Sequence, residues 1–197
     1  MYGIYENGKI IAAFVAPLKV ISNKPVFVSD ALSLKRSTYS RSAQRWEIET
    51  NLQPLVETAN DLFVNIVTKG KSETVQALMP QNYAVSLKRT STAVVTATGL
   101  IGSSTVAIIG NNGLIPKGCF VRFSENPKIY MTTADLIGNG NLSIYPPLKK
   151  AATSSVMTYK DDVIFECFYD TDVITGMVYT DGILMDTGSV KLIEKLT

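Results

Sequence analysis

The chain of 197 residues contains no histidine. That removes the side chain that most often serves as general base and metal ligand near neutral pH, and with it the Ser–His and Cys–His nucleophile systems. Cysteine is nearly as scarce: Cys119 and Cys167 each sit inside an apolar run, GCFVRF and VIFECFYD. Among such neighbours a thiol behaves as a small buried hydrophobe. A disulfide would need an oxidising compartment that nothing else in the sequence indicates, so two reduced thiols are expected. Charge is sparse, at 18% of residues with a net +2 and no block of one sign. A nucleic-acid-binding surface normally shows a basic stripe. The nearest approach is Lys35, Arg36, Arg41 and Arg45, which reads as a solvated or interface-facing loop with one strand-face arginine. No apolar run is long enough for a spanning helix, and the stretch from Ile10 to Ala16 lacks the basic flank of a signal peptide. The expectation is a folded chain made and assembled in a cytoplasm, without a membrane partner.

What is present is clearest from Arg41 to Pro80. Gln44 to Thr50 alternates, with Trp46 and Ile48 on one face and Arg45, Glu47 and Glu49 on the other, the period of a half-buried strand. Trp46 is the expected core anchor. Pro54 is placed to open a helix in which Leu55, Val56, Ala59, Leu62, Phe63, Ile66 and Val67 recur at spacings of three and four. Gly70 closes it, and Glu73 to Met79 returns to extended structure. Before this unit, Asn7-Gly8 predicts a hairpin turn between Tyr2–Tyr5 and Lys9–Val15. Residues 17–25 read as a polar connection, Val26–Val28 and Leu32–Leu34 as short extended pieces, and Ser33–Ser42 as an exposed, aperiodic loop.

Composition shifts near Lys88. Short strands at Val94-Val95, Val106–Ile109, Phe120–Phe123, Ile129–Thr132 and Leu142–Tyr145 are separated by turn signals, which indicates a small barrel or sandwich. In the Gly118–Phe123 segment, Phe120 and Arg122 point one way and Val121 and Phe123 the other, as in small OB-like and SH3-like barrels. Val163–Tyr169 reads as an apolar strand, Asp181-Gly182 as a hairpin turn, and Val190–Leu196 as a final strand whose Lys191, Glu194 and Lys195 keep an edge soluble. The expected fold is mainly β. A β-sandwich-like sheet with one packed helix (residues 1–89 and 162–197) is interrupted by an inserted OB/SH3-like barrel (residues 90–161).

No constellation of residues reads as an active site, so no enzyme activity, cofactor or metal is expected. Asp161-Asp162 and the set Asp170, Asp172, Asp181 and Asp186 lie around turns, where aspartate bonds nearby backbone. The sequence after Asp170 lacks the glycine and glutamate of a calcium loop. Gly99–Ser104 has no following lysine or helix, so it is no P-loop.

Two runs carry a resemblance. Ser42-Ala43-Gln44-Arg45-Trp46, the helix that follows and Leu78–Pro80 are similar to the N-terminal domain of distal tail and baseplate-hub proteins of tailed bacteriophages. Gly118-Cys119-Phe120-Val121-Arg122-Phe123, then Lys128-Ile129-Tyr130, then Gly138–Leu148 with Leu142-Ser143-Ile144-Tyr145-Pro146-Pro147-Leu148 resemble a run found in phage tail proteins. The resemblance implies a tail-tube-like β-domain over residues 1–89 and 162–197 and a structural virion protein at the end of the tail tube. It would form a homo-hexameric ring, meet other tube and baseplate proteins, and touch DNA only as it passes through the lumen. It would assemble in the host cytoplasm, with Lys35, Arg36 and Arg41 in an inter-subunit loop. On that reading Glu47 and Glu49 face the lumen and repel phosphates; a plain solvent face is the other reading of the same row. The alternative function is a carbohydrate- or receptor-binding β-module of a tail tip, which requires exposed aromatics clustered in residues 118–148.

Overall fold

The computed structural model describes residues 1–30, 36–40, 43–170, 178–180, 183–186 and 188–196. The chain is mainly β, with closed six-stranded barrels. The strands in chain order are β1 (Gly3–Glu6), β2 (Lys9–Asn23), β3 (Val26–Asp30), β4 (Arg36–Ser40), β5 (Arg45–Pro54), β6 (Val75–Leu78), β7 (Val95–Gly99), β8 (Thr105–Ile109), β9 (Leu114–Ile115) and β10 (Phe120–Phe123). They continue as β11 (Asn126–Thr132), β12 (Leu136–Ile137), β13 (Gly140–Tyr145), β14 (Ala152–Thr158), β15 (Ile164–Tyr169), β16 (Val178–Thr180), β17 (Ile183–Asp186) and β18 (Ser189–Glu194). Helix α1 (Ala59–Lys69) lies between β5 and β6, and α2 (Tyr83–Lys88) follows β6.

The first barrel closes in the order β1-β2-β5-β18-β15-β6, so strands from the two ends of the chain share one core. Closure gives each of the six strands a neighbour on both sides over at least part of its length, which an open sandwich sheet would not. Ile4, Ile48, Leu52, Val75, Ala77, Phe165, Cys167 and Leu192 fill it. The second barrel, β10-β11-β13-β8-β7-β14, is built wholly from residues between the two halves of the first. Its core holds Val95, Ile108, Val121, Phe123, Tyr130, Leu142 and Met157. Strand β10 serves both: Val121 and Phe123 face the second core, while Phe120 packs on the first.

Several local expectations are corrected. Pro54 ends β5, and a 3-10 turn (Val56–Thr58) precedes the helix, which starts at Ala59. Leu62 and Ile66 are buried, but Phe63 and Val67 are exposed, so the helix presents a narrower face to the barrel than its spacing suggests. Gly70 does close it, its N–H donating to the Ile66 carbonyl at 3.1 Å. Strand β2 does not stop at a polar connection. It continues through Pro17 to Asn23, with a register shift between Val15 and Lys19 that accommodates a residue lacking N–H. Part of the expected loop, Arg36–Ser40, is strand β4. Helix α2 and strand β14 carry no apolar signal strong enough to announce them; Ala152–Thr158 is rich in serine and threonine. Strand β18 is not an edge, because β5 and β15 flank it, and Glu194 is buried.

Candidate assembly surface

The row formed by Arg45, Glu47 and Glu49 on β5 faces away from the first core, and β2 and β18 bring cations onto it. Glu47 is 5% exposed. Its carboxylate accepts from Asn23 Nδ2 at 2.6 Å and Arg45 Nε at 3.0 Å, and pairs with Lys191 Nζ at 3.0 Å. The Asn23 hydrogen bond, followed by those of Lys191 and Arg45, outweighs desolvation and holds the Glu47 carboxyl down to about 2. Glu49 is half exposed and pairs with Lys19 at 2.9 Å. The row is thus a balanced ion-pair network in which both expected lumen-facing carboxylates, Glu47 and Glu49, are paired with cations. Of the expected inter-subunit loop residues, Arg36 stands exposed on β4 and is 3.7 Å from Asp30. Lys35 and Arg41 lie outside the described residues.

Trp46 sits on the opposite face, in the first core, where the two barrels meet. Its indole N–H donates to the Ile129 carbonyl of β11 at 2.9 Å. Its ring meets Phe120 edge-on at 5.4 Å, and Phe120 meets Phe165 at 5.5 Å, a geometry that aromatic quadrupoles favour. Beside this stack lies an ion pair that the sequence did not announce. Lys128 of β11 and Glu194 of β18 bond directly, with side chains 2% and 0% exposed. Glu194 also accepts the backbone N–H groups of Trp46 (2.9 Å) and Ile129 (2.8 Å). Burial pushes the Glu194 carboxyl up and the Lys128 ammonium down, each opposed by the partner's charge.

Two further contacts lock the junction. The Gln81 side chain imitates a strand residue, accepting the Phe120 N–H at 2.9 Å and donating to the Phe120 carbonyl at 2.7 Å. Arg122 donates to the Ile164 carbonyl at 3.0 Å and to Glu166 at 2.6 Å. The barrels therefore meet through an aromatic stack flanked by a buried ion pair and side-chain-to-backbone hydrogen bonds.

The remaining sequence candidates divide between ion pairs and a local turn bond. Asp161 pairs with Arg89 at 3.2 Å, Asp162 accepts the Lys160 N–H at 3.2 Å, and Asp170 pairs with Lys191 at 3.3 Å. Asp172 and Asp181 lie outside the described residues, and Asp186 ends β17. Among the described residues no group of three or more Cys, Asp or Glu side chains is placed to hold a metal. Both cysteines are free and buried, and burial pushes the Cys119 thiol up to about 12. Within residues 118–148, Phe123 and Tyr130 are buried and Phe120 and Tyr145 are half-buried, so no exposed aromatic cluster forms there.

Two surface features stand apart from the seam. Strands β3 and β4 form a two-stranded ribbon, in register from Val26↔Ser40 to Asp30↔Arg36, that belongs to neither barrel. It exposes Val26, Phe27 (55%), Val28 and Tyr39 (68%). The second feature is an open groove of ≈ 680 Å³ between the barrels, with Leu18, Val20, Val85, Phe120 and Met131 among its walls. Among the described residues no helix is long and apolar enough to cross a membrane. No protein-family model matches the chain, and no curated protein matches it.

Proposed function

We propose that this chain is a structural, non-enzymatic component of a bacteriophage tail: a distal-tail or baseplate-hub protein that forms a ring at the end of the tube. The resemblance of Ser42–Trp46 and Gly118–Leu148 to tail proteins names the class. The observation that carries the reading is the β3–β4 ribbon. A two-stranded ribbon is marginal in water; this one pairs with no further strand among the described residues and exposes Val26, Val28 and Tyr39. Such an arm is stable when a neighbour covers it, and a head-to-tail neighbour in a closed assembly is a ring.

On this reading the first barrel belongs to the ring and the second projects towards baseplate or receptor-binding parts. The seam at Trp46 and Glu194 holds the two in a fixed relation. DNA passes through the lumen without a dedicated site. The virion tail is the place of action, and assembly occurs in the host cytoplasm. Native mass over a concentration series, with negative-stain images of the same sample, tests it. Rings of six subunits are the expected result; a strict monomer at every concentration overturns the proposal for the isolated chain.

A further inference from the structure

Strand β2 is paired on both sides along only part of its length. Its first part pairs with β1, from Lys9 to Ala13. Its distal part, Lys19–Asn23, pairs with β5 and, among the described residues, has no strand on its other side. There β1 has ended. The chain leaving β6, next to β1 in the barrel, departs through Pro80 and Gln81 into α2. The space left open is the groove, and Leu18 and Val20 of β2 line it. A bare strand edge beside an apolar groove is the geometry that accepts an added strand, the main chain providing affinity and alternate side chains filling the pockets.

Building on the ring reading, we infer that β3 of one copy adds to the Lys19–Asn23 edge of the next copy and lays its side chains into that groove. The dimensions agree: both segments are five residues, about 17 Å of strand. The chemistry agrees as well. Val26, Val28 and Asp30 share one face of β3 by the period of two. The groove offers Leu18, Val20, Phe120 and Met131 to the valines and Lys88 and Lys117 to the carboxylate. Asp135, also on the rim, is already occupied by the Lys117 backbone N–H at 2.6 Å. Among the described residues Asp30 pairs with an exposed Arg36 at 3.7 Å, a contact worth little in water. Among the described residues β4 is the strand that β3 pairs with, and the occupant we assign to the groove is β3 of a second copy. Ribbon and groove are different surfaces, which makes the contact heterologous and able to propagate around a ring.

Cysteine cross-linking between differently marked full-length chains tests this. One preparation carries Val26→Cys or Val28→Cys, the other Leu18→Cys or Val20→Cys. Cys119 and Cys167 are buried and stay silent. Mild oxidation of the mixture should give a covalent dimer, at twice the chain mass, for at least one ribbon–groove combination. A Val156→Cys chain, marked on the exposed outer face of β14, should give none above background. Ribbon chains that link to one another as readily as to groove chains, or a control that links equally well, overturn the inference. Rings without any ribbon–groove link overturn it while leaving the ring reading intact. Links in assemblies that never close into rings uphold it and overturn the ring reading.

Discussion

Replacing Glu194 by glutamine should reveal how strongly the barrels depend on their seam. The substitution leaves the Lys128 ammonium buried without its counter-charge, and it leaves one amide oxygen to serve the N–H groups of Trp46 and Ile129. Removing one partner of a buried pair costs about 3–5 kcal/mol. At about 2–4 °C per kcal/mol for a chain of this size, the midpoint should fall by roughly 6–20 °C. The double variant Lys128→Met/Glu194→Gln removes both charges and leaves only an imperfectly bonded N–H, about 1–3 kcal/mol. It should therefore be more stable than the single variant. The assay is denaturant unfolding followed by fluorescence, because the chain has one tryptophan and Trp46 stands on the seam, bonded to Ile129. Two results would refute the reasoning. One is a Glu194→Gln protein within about 1 kcal/mol of the parent; the other is a double variant no better than the single one, since both would mean that the buried charge is not what the partner neutralises.

Glu47 should make the protein acid-sensitive. Its carboxyl is depressed from 4.5 to about 2 by Asn23, Lys191 and Arg45, so the stabilisation is complete above pH 4.5 and is lost as pH falls towards 2, at most about 3 kcal/mol. The gap in unfolding free energy between parent and Glu47→Gln should hold between pH 6 and pH 5 and narrow as pH falls to 3; a gap unchanged over that range disproves the assignment. Gly3 is fixed by close approach rather than by backbone angle: a Cβ there would lie 1.8 Å from the Ala12 carbonyl oxygen. Gly3→Ala must move β1 away from β2 and should cost about 1–3 kcal/mol, measured by the same unfolding curves. An unchanged midpoint would show that the strands separate freely.

Much of the fold was legible because it rests on local patterns. Trp46 and Ile48 alternate with polar neighbours, Asn7-Gly8 turns a hairpin with both residues at positive φ, and Gly70 ends α1 with its N–H on Ile66. These signals span a few residues and depend on backbone preferences that act within that span. The candidate surface was less legible. Glu47 and Glu49 look like solvent-face carboxylates beside Arg45, but Lys191 and Asn23 reach Glu47 from strands far away in the chain. Lys128 and Glu194 look like surface residues for the same reason: charged side chains are almost never fully buried unless paired, and the partner is 66 positions away.

By itself, then, the sequence determined that this chain is mainly β, that one amphipathic helix follows the Trp46 strand, and that no histidine-based chemistry is available to it. Tertiary structure alone decided that the first sheet closes into a barrel and that its charged row is neutralised by strands from both ends of the chain. It also decided that a buried Lys–Glu pair sits at the junction, and that among the described residues the distal part of β2 is paired on one side, beside an apolar groove. The division has a physical cause. Local periodicity records which face of an element is buried, whereas ion pairs, strand edges and grooves depend on which elements become neighbours, and that is fixed only when the whole chain closes.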